Sequence, residues 1–321
     1  MPLNAAWDTY HRPAFGNRAP RSLSRAFGSP AGHGLPRRTL APLAREPKVL
    51  AAVVSSNALI GVLPALVTTV AAARISRDSL AAAVPASGVY ALLAIYVFDL
   101  SNQITGVPED RINKPMRPLV TGLLSLRGAW IRLAAATALL QLTGQLLGIT
   151  HLALLWAVVT GANNHLGLAR RPVCKPLVVG VQAGIQLLSA WHIGGGRTDR
   201  FLPCAVALSV LLALLMPLQD LRDIKGDRAV GRRTLPIAYG AWPVRFYLCG
   251  ALLLTPVAVR RLIGLGVLWP GGWLEVLAAG LCACAAVRVV VRRSAASDER
   301  TYRLLVLWYA AMAAGPLAVA L

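Results

Sequence analysis

Three aspartates recur at i, i+3 and i+7 in the segment Asp220-Leu221-Arg222-Asp223-Ile224-Lys225-Gly226-Asp227-Arg228. On a helix those offsets fall within about 60° of one another, so the carboxylates of Asp220, Asp223 and Asp227 share one face. Like charges on one face repel unless a cation neutralises them. Mg²⁺ held by hard oxygen donors is the usual remedy, and Mg²⁺ commonly keeps a substrate phosphate in its shell. The plainer alternative is a solvated charged face that pairs with Arg222, Lys225 and Arg228.

A second acidic segment runs from Asn102 to Pro115 and holds Glu109 and Asp110. Asn102, Glu109 and Asn113 fall at i, i+7 and i+11. They line one stripe if a helix continues through Pro108, where a new turn could instead begin. The amide of Asn102 can offer a metal its carbonyl oxygen or bond a neighbouring helix. Acidic residues are scarce in this chain, 13 against 33 Lys and Arg, yet five of them sit in these two segments. Arg111, Lys114 and Arg117 follow Glu109 and Asp110. Such cations suit phosphate oxygens, arginine through its bidentate fork.

The elements that must position these groups are membrane helices. Of 321 residues 56% are hydrophobic and 14% charged, against roughly 25% charged in soluble domains. Mean hydropathy is +0.58. Nine apolar stretches approach the roughly 20 residues that a span requires: 49–73, 80–101, 128–148, 150–168, 176–195, 201–219, 244–264, 271–291 and 303–321. Period-two alternation is absent, which argues against a membrane β-barrel. The expected fold is all-α, a multi-pass membrane protein of nine transmembrane helices.

The formal net charge of +20 does not point to nucleic acid, because the excess cations flank the spans. Eight Lys or Arg precede Val49, and the loops after the second, fourth, sixth and eighth stretches are richer in them than the loops opposite. By the positive-inside rule the N-terminus and both acidic segments face the cytoplasm. Residues 1–46 read as a basic, disordered tail without the apolar run of a secretory signal. Attraction to anionic lipid accounts for its charge, and an organelle transit peptide is the alternative. Residues 47–321 read as one transmembrane domain. A weak internal repeat is visible, with the second and sixth stretches each running into an acidic segment. The five cysteines form no CxxC pair and read as small packing residues.

Asn102 to Pro118 and Asp220 to Pro236 resemble the two Asp-rich motifs of the UbiA superfamily of intramembrane prenyltransferases. The second motif matches well, including Gly231-Arg232-Arg233-Thr234-Leu235-Pro236. The first departs: Gln103 and Gly106 stand where the family carries Asp, and Glu109 is placed to compensate. Phe98-Asp99-x-x-Asn102-Gln103 is closer to a divergent branch that includes membrane-bound terpene cyclases.

The resemblance implies nine helices around a central apolar cavity, with both motifs on cytoplasmic-side loops. It implies a prenyl diphosphate substrate gripped through Mg²⁺, two ions in all, by Asn102, Glu109, Asp110, Asp220, Asp223 and Asp227. Arg111, Lys114, Arg117, Arg170, Arg171, Lys175, Lys225 and Arg228 would contact the diphosphate. Tyr96, Phe98, Asn163, Gln182 and Trp191 are the expected cavity residues, with packing or interhelical bonding as the alternative for each. Aromatic faces can stabilise a cation by about 2 kcal/mol when desolvated. No dedicated base stands out, and the diphosphate itself can serve. Ionisation of a farnesyl chain followed by cyclisation is the leading expectation, in a bacterial inner membrane. Transfer to an aromatic or other small acceptor is the competing one. A transporter fits less well, because transporters keep their ionisable groups near the bilayer midplane.

Overall fold

The computed structural model describes residues 45–262 and 273–316, where helices joined by turns and short loops make up the fold, with no strand. A short helix α1, Glu46–Val54, turns Val49, Val53 and Val54 inward. The long helices follow: α2 Ala58–Ser76, α3 Leu80–Asn113, α4 Leu126–Leu146, α5 Thr150–Asn164, α6 Cys174–Ile193 and α7 Thr198–Leu215. Helix α8, Pro217–Ala229, continues the direction of α7 after a break at Met216, where Pro217 cannot donate to the preceding turn. Helices α9 Ala241–Leu262, α10 Trp273–Val291 and α11 Ala295–Ala313 complete the bundle. The tail expected over 1–46 lies outside the described residues apart from Arg45 and Glu46, as does 317–321 of the ninth expected stretch.

Among the described residues, six helices are long and apolar enough to cross a bilayer: α2, α3, α6, the α7–α8 run, α9 and α10. The expected nine spans exceed that number for local reasons. Helix α5 has 15 residues and reaches only about 22 Å. Helix α4 carries Arg127, Arg132, Gln141 and Gln145. Helix α11 opens with Asp298, Glu299 and Arg300.

The motifs do not occupy loops, as the family resemblance implies. The first lies on the last three turns of the 34-residue α3, which runs unbroken through Pro108 to Asn113. The aspartates of the second lie on α8, and its Gly231-to-Pro236 run follows the end of that helix. The expected end of the second span at 101 is therefore short by twelve residues of helix, and the polar extension carries the first acidic segment.

The core falls into two main clusters. One gathers Phe201, Leu208, Leu215, Leu248, Trp308 and Tyr309 from the C-terminal helices. The other gathers Val53, Leu100, Leu140, Ile149 and Trp156 around α3. Lipid is as apolar as these side chains, so interhelical hydrogen bonds and close packing hold such a bundle. Thr69 Oγ1 lies 2.7 Å from Ser87 Oγ and donates to the Ala190 carbonyl at 3.0 Å, tying α2, α3 and α6. Arg245 forks onto Asp298 at 2.8 and 2.7 Å, joining α9 to α11 where both side chains are buried.

Candidate active site

Helices α3 and α8 meet at their polar ends through Asn113. Its Nδ2 donates to the Asp223 carbonyl at 2.9 Å, and its Oδ1 accepts the Gly226 amide at 3.0 Å. The approach is so close that a Cβ at position 226 would overlap the Asn113 amide. Gly226 thus sets the distance between the two acidic stripes. Gly226→Ala is expected to cost about 1–3 kcal/mol as overpacking, read as a lowered melting temperature in detergent, and to weaken divalent-metal binding. An alanine variant with wild-type melting and wild-type metal affinity would show that the contact does not set the spacing.

Each carboxylate of the two stripes is held by a cation. Arg117 Nη1 donates to both oxygens of Asp110, at 2.9 and 2.8 Å, and both residues are buried. Lys175 pairs with Asp220. Asp223 has Lys114 at 3.7 Å and Arg222 at 3.5 Å. Arg232 bridges the stripes: it pairs with Glu109 on α3 and reaches Asp227 on α8 at 3.5 Å. Burial pushes the Lys114 ammonium below the ordinary lysine range, and the neighbouring Asp223 charge opposes that shift.

Of the cations expected around a phosphorylated ligand, Lys114, Arg117 and Lys175 are in this network. Arg111, Arg171, Lys225 and Arg228 are exposed and make no ion pair among the described residues. Arg170 is also exposed, and it lines a small recess with Asn163, Asn164 and Arg232. Asn163 therefore stands at the mouth rather than in the central cavity. Asn102 faces the same side of α3 as Asp110, and its side chain makes no hydrogen bond among the described residues.

Two residues in the network were not singled out from spacing. Arg232 lies past the end of α8, where helical periodicity no longer predicts direction. Gly231 takes φ +68, a conformation that favours glycine, and turns the chain so that the Arg232 amide donates to the Asp227 carbonyl at 2.9 Å. The Gly-Arg-Arg run after the aspartates was the available signal. Arg222 reads from sequence as a solvated partner of the aspartates. Instead it lies 4.6 Å over the ring of Tyr302 and pairs with Glu299, both on α11.

Beneath the network is a small cavity of about 80 Å³. Phe98, Gln182 and Trp156 line it, together with Asn57, Gln186, Tyr302 and Tyr309. Trp156 Nε1 donates to the Ala94 carbonyl at 2.8 Å, which fixes its ring against α3. Tyr96 and Trp191 do not reach the cavity. Tyr96 packs in the cluster around α3 on a different face from Ile95 and Phe98. Trp191 stacks on Phe201 with centroids 4.2 Å apart and donates to Arg197 in the turn between α6 and α7, at the far end of the bundle. Binding sites for small molecules usually have about 300–1,000 Å³, so a prenyl chain would have to widen this cavity. A cleft of about 590 Å³ at the mouth, lined by Asn113, Lys114, Arg222, Asp223 and Glu299, shares Ile60 and Tyr302 with it.

The donor set suits a hard divalent cation: carboxylates and one free amide from two facing helices. Among the described residues no three acidic or histidine side chains yet come together as a ready metal cluster, because cations stand between the carboxylates. Orphaned atoms of both signs remain in this ion-pair network. Asp227 Oδ2 lacks a donor, and Arg117 Nη2 and Arg222 Nη2 lack acceptors, all buried. A metal alone would satisfy only the first, and an anion only the others. A metal carried with an anion satisfies both.

The sequence profile of the UbiA prenyltransferase family matches residues 61–312. The chain belongs to this family. Among its relatives is somaliensene A/B synthase of Streptomyces somaliensis, 39% identical over 239 residues that cover 74% of this chain and 80% of that protein. Another is the diterpene cyclase eriG of Hericium erinaceus, 38% identical over 205 residues, covering 56% of this chain and 64% of that protein. The solved structure of a UbiA homolog from Archaeoglobus fulgidus bound to DMAPP and Mg²⁺ shares the fold, with TM-score 0.61 at 17% identity over 85% of this chain and 98% of that one.

Within this UbiA-family bundle the two departures of the first motif have distinct consequences. Gln103 turns away from the site and donates to the Val53 carbonyl of α1 at 2.9 Å. It has become a structural residue. At Gly106 a Cβ would lie 3.7 Å from Asp110 Oδ2 and 3.9 Å from Glu109 Oε2. The Glu109 carboxylate therefore stands close to where an aspartate at 106 would project.

Proposed function

We propose that this UbiA-family protein is a membrane-embedded terpene synthase. It ionises an allylic prenyl diphosphate with the help of a divalent metal and cyclises the resulting cation. The observation that carries this reading is the convergence of two acidic helix stripes, interleaved with cations, above a cavity walled by aromatic rings and amides. The family and its relatives named as synthase and cyclase support the same chemistry.

Asn102, Glu109 and Asp110 on α3 and Asp220, Asp223 and Asp227 on α8 would hold Mg²⁺. Two such stripes suit two ions. The metal supplies Lewis acidity to the leaving oxygens. Lys114, Arg117, Lys175, Arg222 and Arg232 bind the diphosphate and stabilise the charge that grows as the allylic C–O bond breaks. Arg111, Arg170, Arg171, Lys225 and Arg228 widen the positive field at the mouth. Phe98, Trp156 and Tyr302 line the cavity and would set aromatic rings beside the cation, and the packed bundle keeps water from it. The mouth faces the cytoplasm by the distribution of Lys and Arg, in a bacterial inner membrane.

Farnesyl diphosphate is the first substrate to test. Purified protein incubated with it and Mg²⁺, without any acceptor, is expected to yield a cyclic hydrocarbon by gas chromatography. Transfer to a small acceptor is the competing reading, favoured by the polar cleft at the mouth. Turnover that requires an added acceptor would establish transfer and overturn cyclisation.

A further inference from the structure

Asp99 is a buried acid that the mechanism above leaves unused. It lies on α3 one turn deeper than Asn102, with no exposed surface. It takes no part in the ion-pair network. Asn57 Nδ2 donates to its Oδ1, while Oδ2 has no hydrogen-bond partner among the described residues. A carboxylate withdrawn from water with one oxygen open is costly, and an ionisable group inside a membrane bundle marks function more often than packing.

Its place in the fold says which function. Offsets along α3 put Asp99 on the stripe that carries Ile95, Asn102 and Asp110. It sits about 4.5 Å along the axis from Asn102 and about 16 Å from Asp110. Its partner Asn57 and its neighbour Phe98 both line the central cavity, as does Tyr302. The diphosphate belongs at the mouth, between the acidic stripes. Asp99 itself stands closed off behind Asn57 and Phe98, so a prenyl chain that widens the cavity past those two side chains would bring its cation to Asp99.

We infer that Asp99 is the base that ends the cyclisation. This rests on the cyclase reading above. A C–H bond beside the cationic carbon breaks, its electron pair becomes the π bond of the product alkene, and Oδ2 accepts the proton. The proton leaves Oδ2 to water once the product has departed, which restores the carboxylate. Asn57 pins Oδ1, which leaves Oδ2 as the accepting oxygen and narrows the set of carbons it can deprotonate.

The test is Asp99→Asn in nanodiscs with farnesyl diphosphate and Mg²⁺. Diphosphate release should persist, and Mn²⁺ binding in the presence of pyrophosphate should be unchanged. The main wild-type hydrocarbon should fall by at least about tenfold, replaced by isomeric alkenes or water-quenched alcohols. An unchanged product mixture overturns the assignment, and so does lost Mn²⁺ binding, which would put Asp99 in the diphosphate site. Asn57→Ala is the second variant in case Asp99→Asn does not fold. It keeps the base but frees it, so proton loss should spread over more than one carbon, and an unchanged mixture again counts against the assignment. Wild-type protein that makes hydrocarbon shows that the cyclase reading stands whatever the variants do. Wild-type protein that makes none removes that reading and this assignment with it.

Discussion

Asp223→Ala is expected to reduce metal-dependent diphosphate release by at least about a hundredfold, the scale of losing one preorganised electrostatic contact. The fold should survive for a reason visible at the contact between α3 and α8. Asn113 bonds the backbone carbonyl of Asp223, not its side chain, so the two helices stay docked in the variant. Arg222 also keeps a partner in Glu299. Asp110→Ala is a harsher variant, because it strands the buried Arg117. Leaving one member of a buried pair uncompensated costs about 3–5 kcal/mol. Asp223→Asn gives the isosteric control. Release at the wild-type rate in both Asp223 variants, with normal elution and melting in detergent, would remove Asp223 from the metal site.

Pyrophosphate is expected to tighten Mn²⁺ binding by about 10–100-fold, and Mn²⁺ to tighten pyrophosphate binding by the same factor, as linkage requires. The cause is the present occupancy of the carboxylates. Asp110, Asp220, Asp223, Asp227 and Glu109 each have a lysine or arginine against them. A metal arriving alone must displace those cations into a buried, cation-rich site. A diphosphate offers the displaced guanidinium and ammonium groups new acceptors and uses the orphaned donors of Arg117 and Arg222. Each ligand therefore removes part of the cost of the other. The electron paramagnetic resonance signal of free Mn²⁺, titrated with and without pyrophosphate, measures the factor. Saturable Mn²⁺ binding of equal strength without pyrophosphate would mean that the ion pairs do not guard the site.

The helical membrane fold and the shared face of Asp220, Asp223 and Asp227 were legible in the chain. Both follow from short-range geometry: apolar runs long enough to span, and offsets of three, four and seven that any α-helix maps onto one side. The stripe through Asn102, Glu109 and Asn113 was legible only on condition. A proline at 108 permits either a continued helix or a new start, and packing of α3 against α8 decides between them. The partners of the carboxylates were less visible. Arg232 reaches Glu109 through a left-handed turn at Gly231, and Arg222 is drawn onto Tyr302 from a helix some eighty residues on. Lys225 and Arg228, closer than Arg232 to the aspartates in sequence, are exposed.

The aromatic residues divide the same way. Residue type marks Phe98 and Trp191 equally, yet one lines the cavity and the other stacks on Phe201 at the opposite end of the bundle. What the linear chain determined by itself was the set of groups able to carry charge and the faces on which short helices display them. Only the tertiary structure decided which faces meet, which cation answers which carboxylate, and that Asp99, behind the cavity residues Asn57 and Phe98, keeps one oxygen without a hydrogen bond. Those outcomes depend on contacts between residues far apart in the chain, and no local periodicity encodes them.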